Sequence, residues 1–370
     1  MFKEEYMRRR HLIRLKSITA GLIAVCMVVE PAAVIFAEEN PTVAVQEVQT
    51  DNEKETQSPG ILPDETVNET KQQAGDDIQS PVADGYLEFD NNEPAPSIHT
   101  DEEPELLTTG EASLSYYKTA KLPAIRNQAG YGVCWAFSTI GLVETNLMKK
   151  GYSEMDLSEM HLANFTYRSV TDPLRGTAGD TNQYTGTSKT LLQKGGNYSF
   201  ALNTLVDWSG AAEETIAPYN TTTGSLVESA GLSESMAYQD KVHVQNFYKI
   251  NMSDTEDIKN AIVNYGAVGI DYYALATYWS NQYYNASTSG YYCYNTNSGN
   301  HAVSIVGWDD DYAASNFPTQ PDGNGAWIVR NSWGTDYGDA GYFYLSYYDK
   351  SISTTAYAVE AELADNYDNN

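Results

Sequence analysis

The stretch Gln128-Ala-Gly-Tyr-Gly-Val-Cys-Trp-Ala-Phe-Ser138 reads as a loop that delivers a cysteine to the start of a helix. Gly130 and Gly132 allow tight backbone turns on the approach. Beyond Cys134 the apolar residues Ala136, Ile140, Val143 and Leu147 recur at i, i+4, i+7 and i+11, which is a helical stripe. Lys149 and Lys150 suit the negative end of the helix dipole, and Gly151 supplies a C-terminal cap. Cys134 thus falls at the positive helix N-terminus, where a thiolate is stabilised and the thiol pKa is expected to fall. A nucleophile needs that placement. A buried structural cysteine is the bland alternative, because free Cys is among the most buried residue types.

A thiolate nucleophile needs a base, and the base needs an orienting group. The chain has five histidines. His11 and His99 lie in an N-terminal targeting segment and an acidic stretch. His161 falls in an expected helix and His243 in a strand-like run, which suits structural roles. His301 opens Gly299-Asn-His-Ala-Val-Ser-Ile-Val-Gly-Trp308, whose alternation reads as a strand with His301 at its entrance. The third piece is Ala326-Trp-Ile-Val-Arg-Asn-Ser-Trp-Gly334, an apolar strand ending in Asn331. An Asn oxygen can accept an imidazole N–H and fix the tautomer without adding charge. Trp333 is placed to cover that hydrogen bond.

These residues together carry a resemblance. Gln128, Cys134-Trp135-Ala136-Phe137-Ser138, His301-Ala302 and Asn331-Ser332-Trp333-Gly334 follow the order of the papain-like cysteine peptidases. The chain resembles that family from about residue 120 to about residue 358, in the flavour of its bacterial secreted or cell-surface members. The resemblance implies that Cys134 is the nucleophile, His301 the general acid/base and Asn331 the orienting residue. It implies that Gln128, six residues before Cys134, and the Cys134 backbone N–H form the oxyanion hole. It also implies an α+β, two-lobed fold, with a helical half, an antiparallel β-barrel half and the active-site cleft between them. Gly195-Gly196 looks like the family's paired glycines that bind extended substrate through the backbone. The strand Gly266-Ala-Val-Gly-Ile-Asp271 is similar to one that lines the pocket for the second residue before the cut. Asp271, with Asn300 and Trp333 beside the histidine and the asparagine, completes the candidate substrate-binding set.

Around this core the composition shifts. The 370 residues carry a formal net charge of −28. Residues 1–37 read as a secretory signal, with a basic start at Arg8, Arg9, Arg10, Arg14 and Lys16, an apolar core from Ser17 to Val29, and cleavage after Ala37. Residues 38–114 are acidic and polar, too poor in apolar surface to fold alone, and read as a pro-segment or spacer. Residues 115–360 form the peptidase domain, helical over 115–240 and strand-rich over 241–358, and residues 361–370 form an acidic tail. Asp156 or Ser158 is expected to cap a second helix. Arg168 to Thr190 reads as a loop, and Tyr198 to Ser209 as a further helix. Ser253, with Glu256 three residues on, reads as a capping box. Asp309-Asp310-Asp311 is expected to be a solvated turn rather than a calcium loop.

The composition limits partners and cofactors. A chain this acidic, with pI about 4.3, is not expected to bind nucleic acid. Residues after the signal contain no apolar run long enough to span a membrane. Protein or peptide substrates, no metal or organic cofactor, an extracellular or cell-surface location and a monomeric state are expected. Of the three cysteines, only Cys134 and Cys293 remain once the signal is removed. The expected activity is that of a thiol endopeptidase. A cell-wall amidase or transpeptidase, or a catalytically silent surface module, are the alternatives.

Overall fold

The computed structural model describes residues 110–170, 190–275 and 277–364. The expected signal, most of the acidic stretch, the bulk of the Arg168–Thr190 loop and the end of the acidic tail lie outside the described residues.

The helical half is built on α1 (Cys134–Lys149), whose side chains are buried from Cys134 through Leu147. A helix buried on all sides is a core element rather than a surface one. Gly151 follows it at φ +98° and donates its N–H to Met148 O, so the expected cap is present. In α2 (Glu159–Tyr167) the cap is Ser158, whose side chain accepts the His161 N–H at 2.9 Å. Asp156 instead pairs with Arg126 at 2.5 Å. The third helix, α3 (Tyr198–Val206), is capped by Asn197 and stops three residues before the expected Ser209. A fourth, α4 (Thr221–Ser229), was not expected. In α5 (Thr255–Tyr265) the expected cap is displaced by one residue. Asp254 accepts the Glu256 and Asp257 N–H groups, while the Ser253 hydroxyl donates to Asn251 Oδ1. A carboxylate is the stronger acceptor at the positive end of a helix, which explains the shift.

The strands are β1 (Tyr116–Lys118), β2 (Val242–Asn251), β3 (Val268–Tyr272), β4 (Tyr284–Asn285), β5 (Gly290–Tyr291), β6 (His301–Asp309), β7 (Ala326–Arg330), β8 (Tyr342–Ser346) and β9 (Thr355–Leu363). They join in the order β2-β9-β3-β6-β7-β8-β5-β4, with β1 on β6. Every pairing is antiparallel except β5 with β8. The architecture is therefore α+β with a mostly antiparallel sheet.

Strand alternation sorts side chains between two cores. Val303 and Ile305 of β6, with Val268, Ile270 and Tyr272 of β3, face a tyrosine-rich core that also holds α5. Ala302 and Val306 of β6, with Ala267 just before β3, face α1 and the other helices. Gly269 and Asp271 share that helix-facing side. The polar cluster Asp309–Asp311 is partly committed: Asp310 takes the Lys259 ammonium at 2.7 and 2.8 Å and the Tyr347 hydroxyl at 2.6 Å. Among the described residues no helix is long and apolar enough to cross a membrane.

Candidate active site

The segment before α1 is tied down at both ends. Arg126 reaches Glu144 on α1 at 2.6 Å and Glu159 on α2 at 2.7 Å. Burial pushes the Glu144 carboxyl up to about 7 even against this guanidinium. Two residues on, Gln128 meets the turn after β7. Its N–H donates to Ser332 O at 2.8 Å, and the Ser332 hydroxyl donates to its Oε1 at 2.6 Å. Gln128 Nε2 donates to Tyr131 O at 2.9 Å, which leaves the second amide hydrogen of that nitrogen for another acceptor. Asn127 forms a bridge with Trp333. The glutamine and the Asn331-Ser332 turn are thus one hydrogen-bonded unit, although 203 positions separate Gln128 from Asn331 in the chain.

Asn331, the first residue after β7, accepts from two donors. Its Oδ1 lies 2.8 Å from His301 Nε2 and also accepts the Ser332 N–H at 2.8 Å. The backbone donor identifies the oxygen, so the imidazole must present Nε2–H to it. His301 Nδ1 is then the unprotonated nitrogen, and it makes no hydrogen bond among the described residues. Trp333 stacks on the imidazole with ring centroids 4.6 Å apart and planes 24° apart. Its carbonyl accepts the Tyr278 hydroxyl at 2.9 Å. The indole covers the His301–Asn331 bond as expected from the sequence.

Cys134 begins α1 as expected, and its Sγ receives the Ala302 N–H of β6 at 3.5 Å. The sulfur therefore touches the strand residue next to His301. The expected lowering of the thiol pKa is not met. Burial pushes Cys134 up to about 12, the Ala302 N–H pulls it back, and the Asp271 charge raises it again. Burial likewise pushes His301 down to about 4, against the Asn331 hydrogen bond. The backbone N–H groups of Trp135 and Cys134 at the helix N-terminus act in the lowering direction, but Cys134 is only 3% exposed and burial outweighs them. In the enclosed site burial works against the charged form of both the thiol and the imidazole.

The other candidates sort unevenly. Gly196 lies against α1: a Cβ there would stand 2.6 Å from the Trp135 ring, next to Cys134. The Gly195 carbonyl accepts the Tyr167 hydroxyl at 2.5 Å. Asp271 is register partner to Ala302, whose N–H meets Cys134 Sγ, and its charge acts on the Cys134 thiol. Asn300 differs from expectation. Its amide closes a two-bond ring with the Ala274 backbone, at 2.7 and 3.2 Å, and is occupied in joining the two chain segments. Cys293 is buried, with its thiol directed at Asn295 O at 3.4 Å, away from these residues. Sequence reasoning missed Ser332 as the partner of Gln128, although it stands inside the quoted motif. It also missed Arg126, because a long-range ion cluster leaves no local pattern.

The family described as papain family cysteine protease matches residues 114–361. Among characterised proteins, a cysteine protease of Blomia tropicalis is 27% identical over 267 residues, covering 70% of this chain and 69% of its own. Cathepsin L 1 of Paramecium tetraurelia is 29% identical over 231 residues, covering 62% and 57%. Among solved structures, the cysteine protease and lectin-like domains of Cwp84, a surface layer associated protein of Clostridium difficile, align with TM-score 0.57 and 31% identity, over 68% of this chain and 53% of that one. The chain thus spans little more than half the length of the last two. With 248 of its 370 residues inside the match, the chain belongs to the papain family of cysteine proteases.

Proposed function

We propose that the chain is an extracellular or cell-surface endopeptidase that cleaves peptide bonds through a Cys134 thioester. The observation that carries this reading is the His301 Nε2–Asn331 Oδ1 contact of 2.8 Å. It leaves Nδ1 as a base, on the strand whose next residue touches Cys134 Sγ. The Sγ proton passes to Nδ1 as the sulfur attacks the scissile carbonyl, so neither charge has to form alone in the buried site. His301 then protonates the leaving amine. Water, deprotonated by His301, releases the acyl group. The Cys134 N–H and the second Nε2 hydrogen of Gln128 would face the oxyanion, an arrangement worth about 2.7–4 kcal/mol per donor in other enzymes. Gly195 and Gly196 offer backbone to an extended substrate, Trp333 borders the leaving group, and Asp271 supplies a carboxylate beside the residues that precede the cut. Residues 1–37 act as a secretory signal and residues 38–114 as a removable pro-segment or spacer. The surface association in the description of Cwp84 supports the extracellular assignment by analogy.

The test uses the full chain on casein and on purified peptidoglycan, with an epoxide-type thiol-protease inhibitor. Casein hydrolysis, blocked as the inhibitor labels Cys134, supports the reading. Peptidoglycan cleavage without casein cleavage would make the chain a cell-wall amidase. No labelling and no hydrolysis would make it a silent surface module. Sequencing the N-terminus of active material checks the pro-segment; a start between about residue 105 and about residue 122 is expected.

A further inference from the structure

One turn below Cys134 and three residues past His301, a chain of buried hydroxyls crosses from the helices to the sheet. Ser138 Oγ lies 2.5 Å from Tyr198 Oη and 2.9 Å from Ser304 Oγ. Tyr198 Oη lies 2.8 Å from Val303 O and 3.3 Å from Ile270 O. Hydroxyl counting sets the direction of each bond. Tyr198 has one proton, and carbonyl oxygens only accept, so that proton goes to Val303 O. Ser138 must then donate to Tyr198 Oη, and Ser304 donates to Ser138, whose Oγ lies at 2.9 Å and whose carbonyl oxygen lies at 3.4 Å. The chain starts on Ser304, runs through α1 and the first residue of α3, and returns to β6 at Val303. It joins the helix that begins with Cys134 to the strand that begins with His301.

The tyrosine at its centre is held from three sides. Its ring stacks on Tyr357 of β9 with centroids 5.1 Å apart and planes 22° apart. It lies so close to β3 that a Cβ on Gly269 would stand 2.4 Å from its ring. Asn197 caps the helix at its own backbone. A ring so confined carries its hydroxyl to one place, and a buried, fully used hydroxyl network specifies one arrangement of the elements it joins.

We propose that Tyr198 is a positioning residue of the peptidase site: its hydroxyl, through Ser138 and Ser304, sets the first turn of α1 against the start of β6 and so fixes Cys134 opposite His301. This rests on the reading of Cys134 and His301 given above. Misplacement of reacting groups by about 1 Å can cost on the order of 10²-fold in rate, so loss of the hydroxyl should act on chemistry rather than on substrate binding.

Tyr198→Phe in the full chain keeps the ring and removes the hydroxyl. Hydrolysis of a fluorogenic peptide, divided by the sites titrated with the epoxide inhibitor, should show kcat per site lowered about tenfold or more, with KM within about twofold. Alkylation of Cys134 by iodoacetamide should slow at neutral pH, with its pH profile moved to the alkaline side. Ser304→Ala, which removes the far end of the chain, should change both readouts in the same direction, and it decides the matter if Tyr198→Phe does not fold. A merely structural role would lower the titratable fraction and the melting temperature only. Unchanged kcat per titrated site in the folded variants therefore overturns the proposal. An active Cys134→Ala protein would refute the reading of the site itself, whereas unchanged Tyr198→Phe beside an inactive Cys134→Ala refutes the positioning role alone.

Discussion

Asn331 holds His301 through an oxygen whose identity is set by a neighbour: the Ser332 N–H and the imidazole Nε2–H converge on Oδ1, each at 2.8 Å. Removing the amide by Asn331→Ala frees the imidazole to rotate and to exchange tautomers. It does not remove the base. The kcat/KM of Asn331→Ala should fall by about 10²-fold, and that of His301→Ala by about 10⁴-fold. Steady-state kinetics on one peptide substrate ranks the two. An Asn331 variant more damaged than the His301 variant would contradict these roles.

Cys134→Ala should leave no measurable peptide hydrolysis. The thiol is buried and accepts the Ala302 N–H over a long 3.5 Å, so the smaller side chain should leave the fold in place. The circular dichroism spectrum should match the parent, and the inhibitor label should disappear. A variant that retains more than a trace of turnover excludes the nucleophile.

Gln128→Ala removes the amide that Ser332 grips, whose nitrogen donates one hydrogen to Tyr131 O and keeps a second for an oxyanion. A lost oxyanion donor costs about 10²–10³-fold in kcat. Single-turnover acylation should slow by that factor while the rate of inhibitor binding to saturation changes less. Equal loss in Gln128→Ala and Ser332→Ala would show that holding the glutamine is as important as its presence.

His161 gives a pH dependence outside the site. It is fully buried, its Nε2 meets Met236 O at 2.7 Å, and burial pushes its pKa down to about 4. The unfolded chain binds a proton there near pH 6.5, the folded chain only near pH 4. Stability is therefore complete above about pH 6.5 and is lost as the pH falls toward 4, by up to about 3 kcal/mol for the 2.5-unit difference. His301 contributes in the same direction. Urea unfolding of the Cys134→Ala protein at several pH values should show this slope. His161→Phe should lower it by about one proton, whatever it does to stability at pH 7. An unchanged slope would mean that the ring is already protonated in the folded state.

The cap of α5 separates two neighbouring candidates. Asp254→Ala should cost about 1 kcal/mol, whereas Ser253→Ala should cost only a few tenths, because Ser253 bonds Asn251 rather than the helix. Thermal melts of both variants read the difference directly.

Local patterns carried much of this. The stripe Ala136, Ile140, Val143, Leu147 and the alternation after His301 are periodic, and each emerged as the expected element, although the helix is buried on every side rather than along the stripe alone. The structure brings His301 and Asn331 into contact from 30 positions apart, as the motif order suggested. The failures are equally physical. Ser253 and Asp254 are both good cap residues, and only their distances distinguish them. The helix Thr221–Ser229 is rich in Thr and contains Gly, so its propensity argued against it. Strand β9, Thr-Ala-Tyr-Ala-Val-Glu-Ala-Glu-Leu, is rich in Ala and Glu, which favour helix, and burial between two strands overrode that preference. The Ser138–Tyr198–Ser304 chain joins residues up to 166 positions apart and left no sequence signature.

The position of β9 also has a temporal consequence. It lies between β2 and β3, pairing Asn251 with Thr355 and Gly269 with Tyr357, and the Asn146 side chain of α1 accepts its Ala361 N–H at 3.0 Å. On the ribosome, β2 and β3 emerge one after the other but must leave a gap for a strand translated about 100 residues later, and closing so long a loop is slow. A nascent chain halted before residue 355 already contains Cys134, His301 and Asn331, yet it lacks the strand that joins β2 to the rest of the sheet. The sheet can therefore be completed only once translation has passed β9.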